Sequence, residues 1–450
     1  MTGPGTAEGV TRTLLDGTRI TDHRIEVPLD WSCPGGERIS LYAREFSDGT
    51  RPAQETGSLP WLLFLQGGPG GKGSRPARLS GWMQEAAKDF RILMLDQRGT
   101  GLSTPLTRQT LHGMSAQEQA DRLRHFRAES IVRDAEAFRE HLGAETWSVL
   151  GQSFGGFCTL TYLSLFPASL ERALLTGGLA PLTGHAERVY EHTYAKMAAR
   201  NAEHFSRFPE DRERLDAVVA HLRERDAAGD PVRLPDGSPL TVPRLQLLGM
   251  LMGGNTRIDS LHYLLEEAFA EAGRTELSDT FLAGVGHQIS FASNPLYAVL
   301  HESIYGQPAE LTGGRGDTGW AAERVRDRFP AFSPEAESPL LLGEMILREH
   351  IALDPALAPL AGAAEILAAA GDWGPLYDLE QLGRNTVPAA AAVYTDDVYV
   401  ARELSLETAS RVANLEVWET AEFHHDGISE DGARIFSELL RRTGPHGPRG

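Results

Sequence analysis

Three short apolar runs in this chain each stop at a glycine-rich loop: "LPWLLFLQ" (59–66) at "GGPGGKG", "FRILMLD" (90–96) at "QRGTG", and "WSVL" (147–150) at "GQSFGG". Apolar at odd and even positions alike, such runs have no solvent face, which suits central strands covered by helices on both sides of a sheet. The intervening segments supply helices. "ESIVRDAEAFREHL" (129–142) has helical spacing, and "GGFCTLTYLSLF" (155–166) follows the third run, ahead of another strand at "ERALLTGG" (171–178). Strand and helix alternating over 59–178 predict a mainly parallel sheet with helical crossovers.

Upstream, "HRIEVPLDW" (23–31) and "RISLYAREF" (38–46) read as extended and are joined by "SCPGG", predicting an antiparallel hairpin that opens the sheet. From about 185 to 355 the texture changes. "ERVYEHTYAKMAARNAEHF", "DRERLDAVVAHLRER", "SLHYLLEEAFAEAG" and "PLLLGEMILREHIAL" read as helices, with no convincing buried strand among them. The alternation returns with "AAEILAAAGDW", the alanine-rich strand "VPAAAAVYTDD" (387–397), the helix "LETASRVAN", the strand "LEVWET" (415–420) and a last helix "ARIFSELLRR". The expected architecture is an α/β sheet domain with an inserted helical cap: the sheet domain's first part at 20–184, the cap at 185–355 and the second part at 356–443.

The chain of 450 residues is long enough for a large core, and its 43 basic against 62 acidic residues leave a formal charge of -19. No Lys/Arg-rich tract stands out, so neither nucleic acid nor an anionic membrane is an expected partner. There is no run of eighteen apolar residues, and "MTGPGTAEGVTRTLLDG" lacks a basic start followed by an apolar stretch; a cytoplasmic location is expected. Two cysteines, Cys33 and Cys158, exclude a disulfide framework. No HExxH pattern or Cys/His cluster occurs, so no metal or cofactor is expected.

The stretch "GQSFG" (151–155) places Ser153 between a strand and a helix, on a turn sharp enough to expose a serine hydroxyl and to aim the following N–H, that of Phe154, at a developing oxyanion. A second donor is expected from "QGGPGG" (66–71), with Gly68 preferred and Gly67 next. A phosphate loop would require Ser or Thr after Lys72, where Gly73 stands. A nucleophile of this kind is followed along the chain by an acid and then a histidine. "VYTDD" offers Asp396 or Asp397 at a strand end, and "EFHHDG" offers His424 or His425 after the next strand. Asp96 and Arg98 of "DQRGTGLS" are expected to pair and to brace the neighbouring loops. Glu302 in "LYAVLHESIYG" and Glu344 in "PLLLGEMIL" stand in apolar surroundings, where a carboxylate needs a cation or hydrogen-bond donors.

Together, "GGPGG", "DQRGTGLS", "GQSFGG", "YTDDVYV" and "HHDG" resemble the proline iminopeptidase (prolyl aminopeptidase) family of α/β-hydrolases, in its larger bacterial form, from about residue 20 to 440. The resemblance implies an α/β-hydrolase sheet domain with a helical cap, and hydrolysis of peptides with a free N-terminal proline. It implies Ser153 as nucleophile, Asp397 over Asp396 as orienting acid and His425 over His424 as base. It further implies that Glu302 and Glu344 bind the substrate's amino end and that Val400 lines the proline pocket. Two positions depart from the family pattern: Gln66 stands where a histidine is usual before the glycines, and "HHDG" has His424 where smaller members carry glycine. The same triad would serve a small-acyl esterase or amidase, or an aminopeptidase of broader range.

Overall fold

Among the described residues of the computed structural model, which are 9–271, 273 and 275–444, nine strands form one sheet. They are β1 (Val10–Thr13), β2 (Thr18–Pro28), β3 (Arg38–Asp48), β4 (Trp61–Leu65), β5 (Arg91–Asp96), β6 (Trp147–Gln152), β7 (Leu170–Thr176), β8 (Ala389–Tyr394) and β9 (Leu415–Thr420). Across the sheet the order is β1-β2-β3-β5-β4-β6-β7-β8-β9. Pairing is antiparallel from β1 to β5 and parallel from β5 to β9. The expected hairpin is β2–β3; β1, a fully exposed edge strand of four residues, leaves no burial pattern in the sequence because "VTRT" buries nothing. Residues 1–8 of the N-terminal stretch lie outside the described residues.

The central strands are buried on both faces because alternate side chains enter two separate cores. Leu63, Leu65, Leu93, Leu95 and Val149 pack with Phe138 and Leu160 on one side. Leu62, Phe64, Ile92, Met94 and Leu150 pack on the other with Met83 and with Phe436 and Leu439 of the last helix, Gly432–Arg442. At roughly 1.5–3 kcal/mol for each fully buried large aliphatic or aromatic side chain, these two layers dominate the stability of the sheet. Because the parallel strands all end on one edge, their following loops gather there, and the polar residues of interest sit in those loops.

Between β7 and β8 no strand of the sheet occurs among the described residues. The chain forms helices, including Ala186–Arg207, Glu210–Ala227, Arg257–Glu266 and Asp279–Ile289, with two isolated bridges at Arg233–Pro239 and Phe269–Leu277. Two sequence expectations need correction here. The helix of "SLHYLLEEAFAEAG" stops at Glu266, and Phe269 turns back to bridge Leu277. Only the end of "PLLLGEMILREHIAL" is helical, at Arg348–Leu353. Residues 339–347 cross the interior as irregular backbone, with Leu341 N–H donating to Asn201 Oδ1 (3.0 Å) and Leu342 N–H to Gln246 O (2.8 Å). Leu341, Leu342, Met345, Ile346 and Leu347 are all buried, so the apolar run reflects burial on every side, not a helix face.

Candidate active site

Ser153 joins β6 to the helix Phe154–Leu165 with φ 54° and ψ -125°, a left-handed conformation that costs a non-glycine residue energy. Close packing enforces the turn: a Cβ on Gly155 would lie 1.8 Å from Leu65 O, so the helix can approach β4 this tightly only with glycine there. The hydroxyl is held back from solvent, with Ser153 only 6% exposed.

His425, in the loop after β9, places Nε2 2.9 Å from Ser153 Oγ. Its Nδ1 lies 2.9 and 3.1 Å from the two oxygens of Asp397, in the loop after β8. Asp397 is fully buried, and its Oδ1 also accepts the N–H groups of Tyr399 (2.8 Å) and Val400 (2.9 Å). The alternative residues point elsewhere: Asp396 is exposed, and His424 turns to Asn255, with Nδ1 2.7 Å from Asn255 Oδ1. Burial disfavours a charged His425, but the Asp397 carboxylate, with Glu344 and Asp426 beyond it, outweighs burial and raises the ring's pKa to about 9. Tyr399 sits edge-on to the imidazole with ring centroids 4.9 Å apart.

The loop after β4 runs beside the serine. A Cβ on Gly67 would lie 3.0 Å from Ser153 Cβ, and Gly68 follows with φ 137°. Asp96 ties this loop to the one after β5 by accepting the N–H groups of Gly73 (2.9 Å) and Leu102 (2.7 Å), and it also pairs with Arg75. The expected Asp96–Arg98 pair is absent, because the chain turns after β5 and sends the two side chains apart. Arg98, fully buried, makes a bidentate pair with Asp134 (2.6 and 2.7 Å) and donates to the carbonyls of Leu29 (2.8 Å) and His125 (2.7 Å). Both charges brace loops, but with partners that no local spacing identifies.

Glu344 accepts a hydrogen bond from the Tyr297 hydroxyl (2.8 Å), and burial pushes its carboxyl above the usual range, while the charge of His425 and the Tyr297 hydrogen bond pull the other way. Glu302, 8% exposed, accepts the Ala322 N–H (2.9 Å) at the start of the helix Ala321–Arg326, with the Thr318 hydroxyl beside it; burial raises its pKa as well. The two acids are not equivalent. The charge of Glu344 favours protonated His425, whereas Glu302 borders a small cavity lined by Val299, Thr318, Trp320 and Ile346 and shares with Glu344 the buried ring of Tyr190 and the half-buried ring of Tyr305. Those rings continue toward Ser153 through Phe157 (5.9 Å from Tyr305) and Phe154 (6.0 Å from Phe157). Val400, also buried, contributes its backbone N–H to Asp397. Sequence reasoning missed Tyr297; it lies five residues before Glu302 on an apolar stretch, and only its hydroxyl hinted at a polar partner.

The described chain contains no helix long and apolar enough to cross a membrane. Residues 60–245 match the alpha/beta hydrolase fold family, in accord with the mixed sheet. A proline iminopeptidase of Aeromonas sobria is 44% identical over 431 residues, covering 95% of this chain and 97% of its own. Proline iminopeptidase aneH of Aspergillus aculeatus is 34% identical, covering 94% and 93%. A proline iminopeptidase of Xanthomonas citri is 28% identical over a shorter stretch, 38% of this chain and 50% of its own.

Proposed function

The chain belongs to the proline iminopeptidase family, and on that premise we propose that it is a cytoplasmic serine aminopeptidase releasing N-terminal proline from peptides through a prolyl-enzyme ester. The observation that carries this reading is the continuous hydrogen-bonded line from Ser153 Oγ through His425 to Asp397, with the half-buried carboxylate of Glu344 acting on the charge of His425.

In this mechanism neutral His425 takes the Ser153 proton as Oγ attacks the carbonyl carbon of the first residue. Asp397, fixed by the Tyr399 and Val400 N–H groups, keeps Nδ1 protonated and stabilises the imidazolium that forms. The N–H groups of Phe154 and Gly68 receive the oxyanion. The imidazolium then protonates the leaving amine, and water, activated by the same base, hydrolyses the ester. Residues 185–355 serve as the cap, closing over the substrate.

Specificity for a free amino end follows from charge. Burial raises the pKa of both Glu344 and Glu302, so each carboxylate gains from a countercharge. A secondary ammonium supplies that countercharge; an acylated nitrogen cannot. The ring line Phe154, Phe157, Tyr305 and Tyr190, with Val400, offers apolar surface to a pyrrolidine ring.

The deciding experiment compares hydrolysis of a proline arylamide, its N-acetylated form and an aryl acetate, with Ser153→Ala as control. Proline arylamide turnover, abolished in Ser153→Ala and absent for the blocked compound, is expected. Equal turnover of blocked and free compounds, alongside fast ester cleavage, would move the protein to the small-acyl esterases and amidases.

A further inference from the structure

The histidine loop takes part of its support from the helical insertion. The His425 N–H donates to Gly253 O (3.0 Å), a carbonyl of the strap Met250–Thr256. Asn255 on the same strap accepts the His424 N–H (2.7 Å), faces His424 Nδ1 (2.7 Å) and donates to Glu422 O (2.7 Å). Thr256 donates through N and Oγ1 to Glu430 (3.1 and 2.8 Å), and Met250 O accepts the hydroxyl of Tyr399, the ring beside the imidazole (2.8 Å). The strap is itself pinned from behind. Arg200, a buried residue of the helix Ala186–Arg207, donates to Met252 O (3.0 Å) and Gly254 O (2.9 Å). Contact is tight enough that a Cβ on Gly253 would lie 2.3 Å from the Tyr399 ring.

We infer that this strap fixes His425 in line with Ser153, so that Asn255 and Arg200 are positioning residues for the base and docking of the insertion is a condition of nucleophile activation. The inference rests on the proposed role of His425. Asp397 and Ser153 orient the ring, but the backbone that carries the ring is anchored across the domain gap, by Gly253 O and by Asn255. The second histidine of "HHDG" acquires a purpose from this arrangement: His424 is the pin that Asn255 holds, while its neighbour does the chemistry. A shift of the loop by about 1 Å is enough to break a 2.9 Å contact to Oγ and to cost roughly 10- to 100-fold in rate.

The test uses Asn255→Ala and Arg200→Met in the full chain, each checked by circular dichroism and thermal unfolding. Two reactions are measured: turnover of a proline arylamide, as kcat and KM, and phosphonylation of Ser153 by an alkyl fluorophosphonate, which expels fluoride and needs the same proton removal but no particular substrate. Both kcat and the phosphonylation rate are expected to fall together by roughly 10- to 100-fold with KM nearly unchanged. Asn255→Asp, which keeps the acceptor for His424, is expected to recover part of the loss. Wild-type kcat and phosphonylation in Asn255→Ala, or a loss confined to KM, would overturn the inference. Should Arg200→Met fail to fold, Asn255→Ala decides alone, because Asn255 is partly exposed and its removal leaves no buried charge. Should the wild-type protein leave proline arylamide intact, phosphonylation still decides, and only the substrate reading falls.

Discussion

His425 holds its proton more tightly than a free imidazole, and this has opposite consequences for activity and stability. Because the proposed base must be neutral, kcat/KM is expected to rise with pH through a limb displaced upward from 6.5 toward about 9. Part of that displacement comes from Glu344. A bound ammonium beside Glu344 cancels it, so the limb of kcat is expected at lower pH than that of kcat/KM, a separation that pH-rate profiles resolve. The stabilising contribution of this group runs the other way: it is fully present below pH 6.5 and is lost as pH rises through about 9. Ser153 carries a second opposition. Its left-handed backbone is strained, so Ser153→Gly is expected to be more stable than Ser153→Ala by about 1 kcal/mol in thermal unfolding, with both inactive.

Elements here are joined by buried charges whose partners lie far apart in sequence. Arg98, after β5, meets Asp134 in the helix Ala128–His141, which also accepts the Trp31 indole N–H (3.0 Å) from the loop after β2. Asp134→Ala leaves the guanidinium buried without its counter-ion and is expected to cost about 3–5 kcal/mol in urea denaturation. Replacing both residues, as in Arg98→Met with Asp134→Leu, is expected to cost less. Such contacts explain what the sequence made legible and what it hid. Strands β4 to β9 were readable because burial on one or both faces leaves a local pattern, and the nucleophile turn and acid and histidine loops were readable because they sit at strand ends. The irregular backbone of residues 339–347 imitated a helix because an apolar run looks alike whenever it is buried all round. Asp134, Asn255 and Arg200 left no local signal: each acts across dozens to hundreds of residues, and an Asp, Asn or Arg usually faces water.

At the scale of the whole molecule, the site draws on loops after β4, β6, β8 and β9 and on the helical segment between β7 and β8. Ser153 and His425 are only 6% and 7% exposed, so a peptide must bring its first residue below the surface to reach them. A flexible tripeptide with N-terminal proline is therefore expected to be cleaved readily, while a folded protein whose first proline lies in ordered structure is left intact, as mass spectrometry of the two would register. The strand that leads to His425 is the least protected of the parallel set. β9 pairs only with β8 and is mostly half-buried, whereas β6, carrying Trp147 and leading to Ser153, lies between β4 and β7 in the interior. Elements with few buried contacts and exposed backbone hydrogen bonds open in sub-global fluctuations, ahead of cooperative unfolding. The enzyme would thus fail from its rim inward. Turnover disappears at denaturant concentrations where Trp147 still reports a native core, and amide hydrogens of β9 exchange well before those of β6.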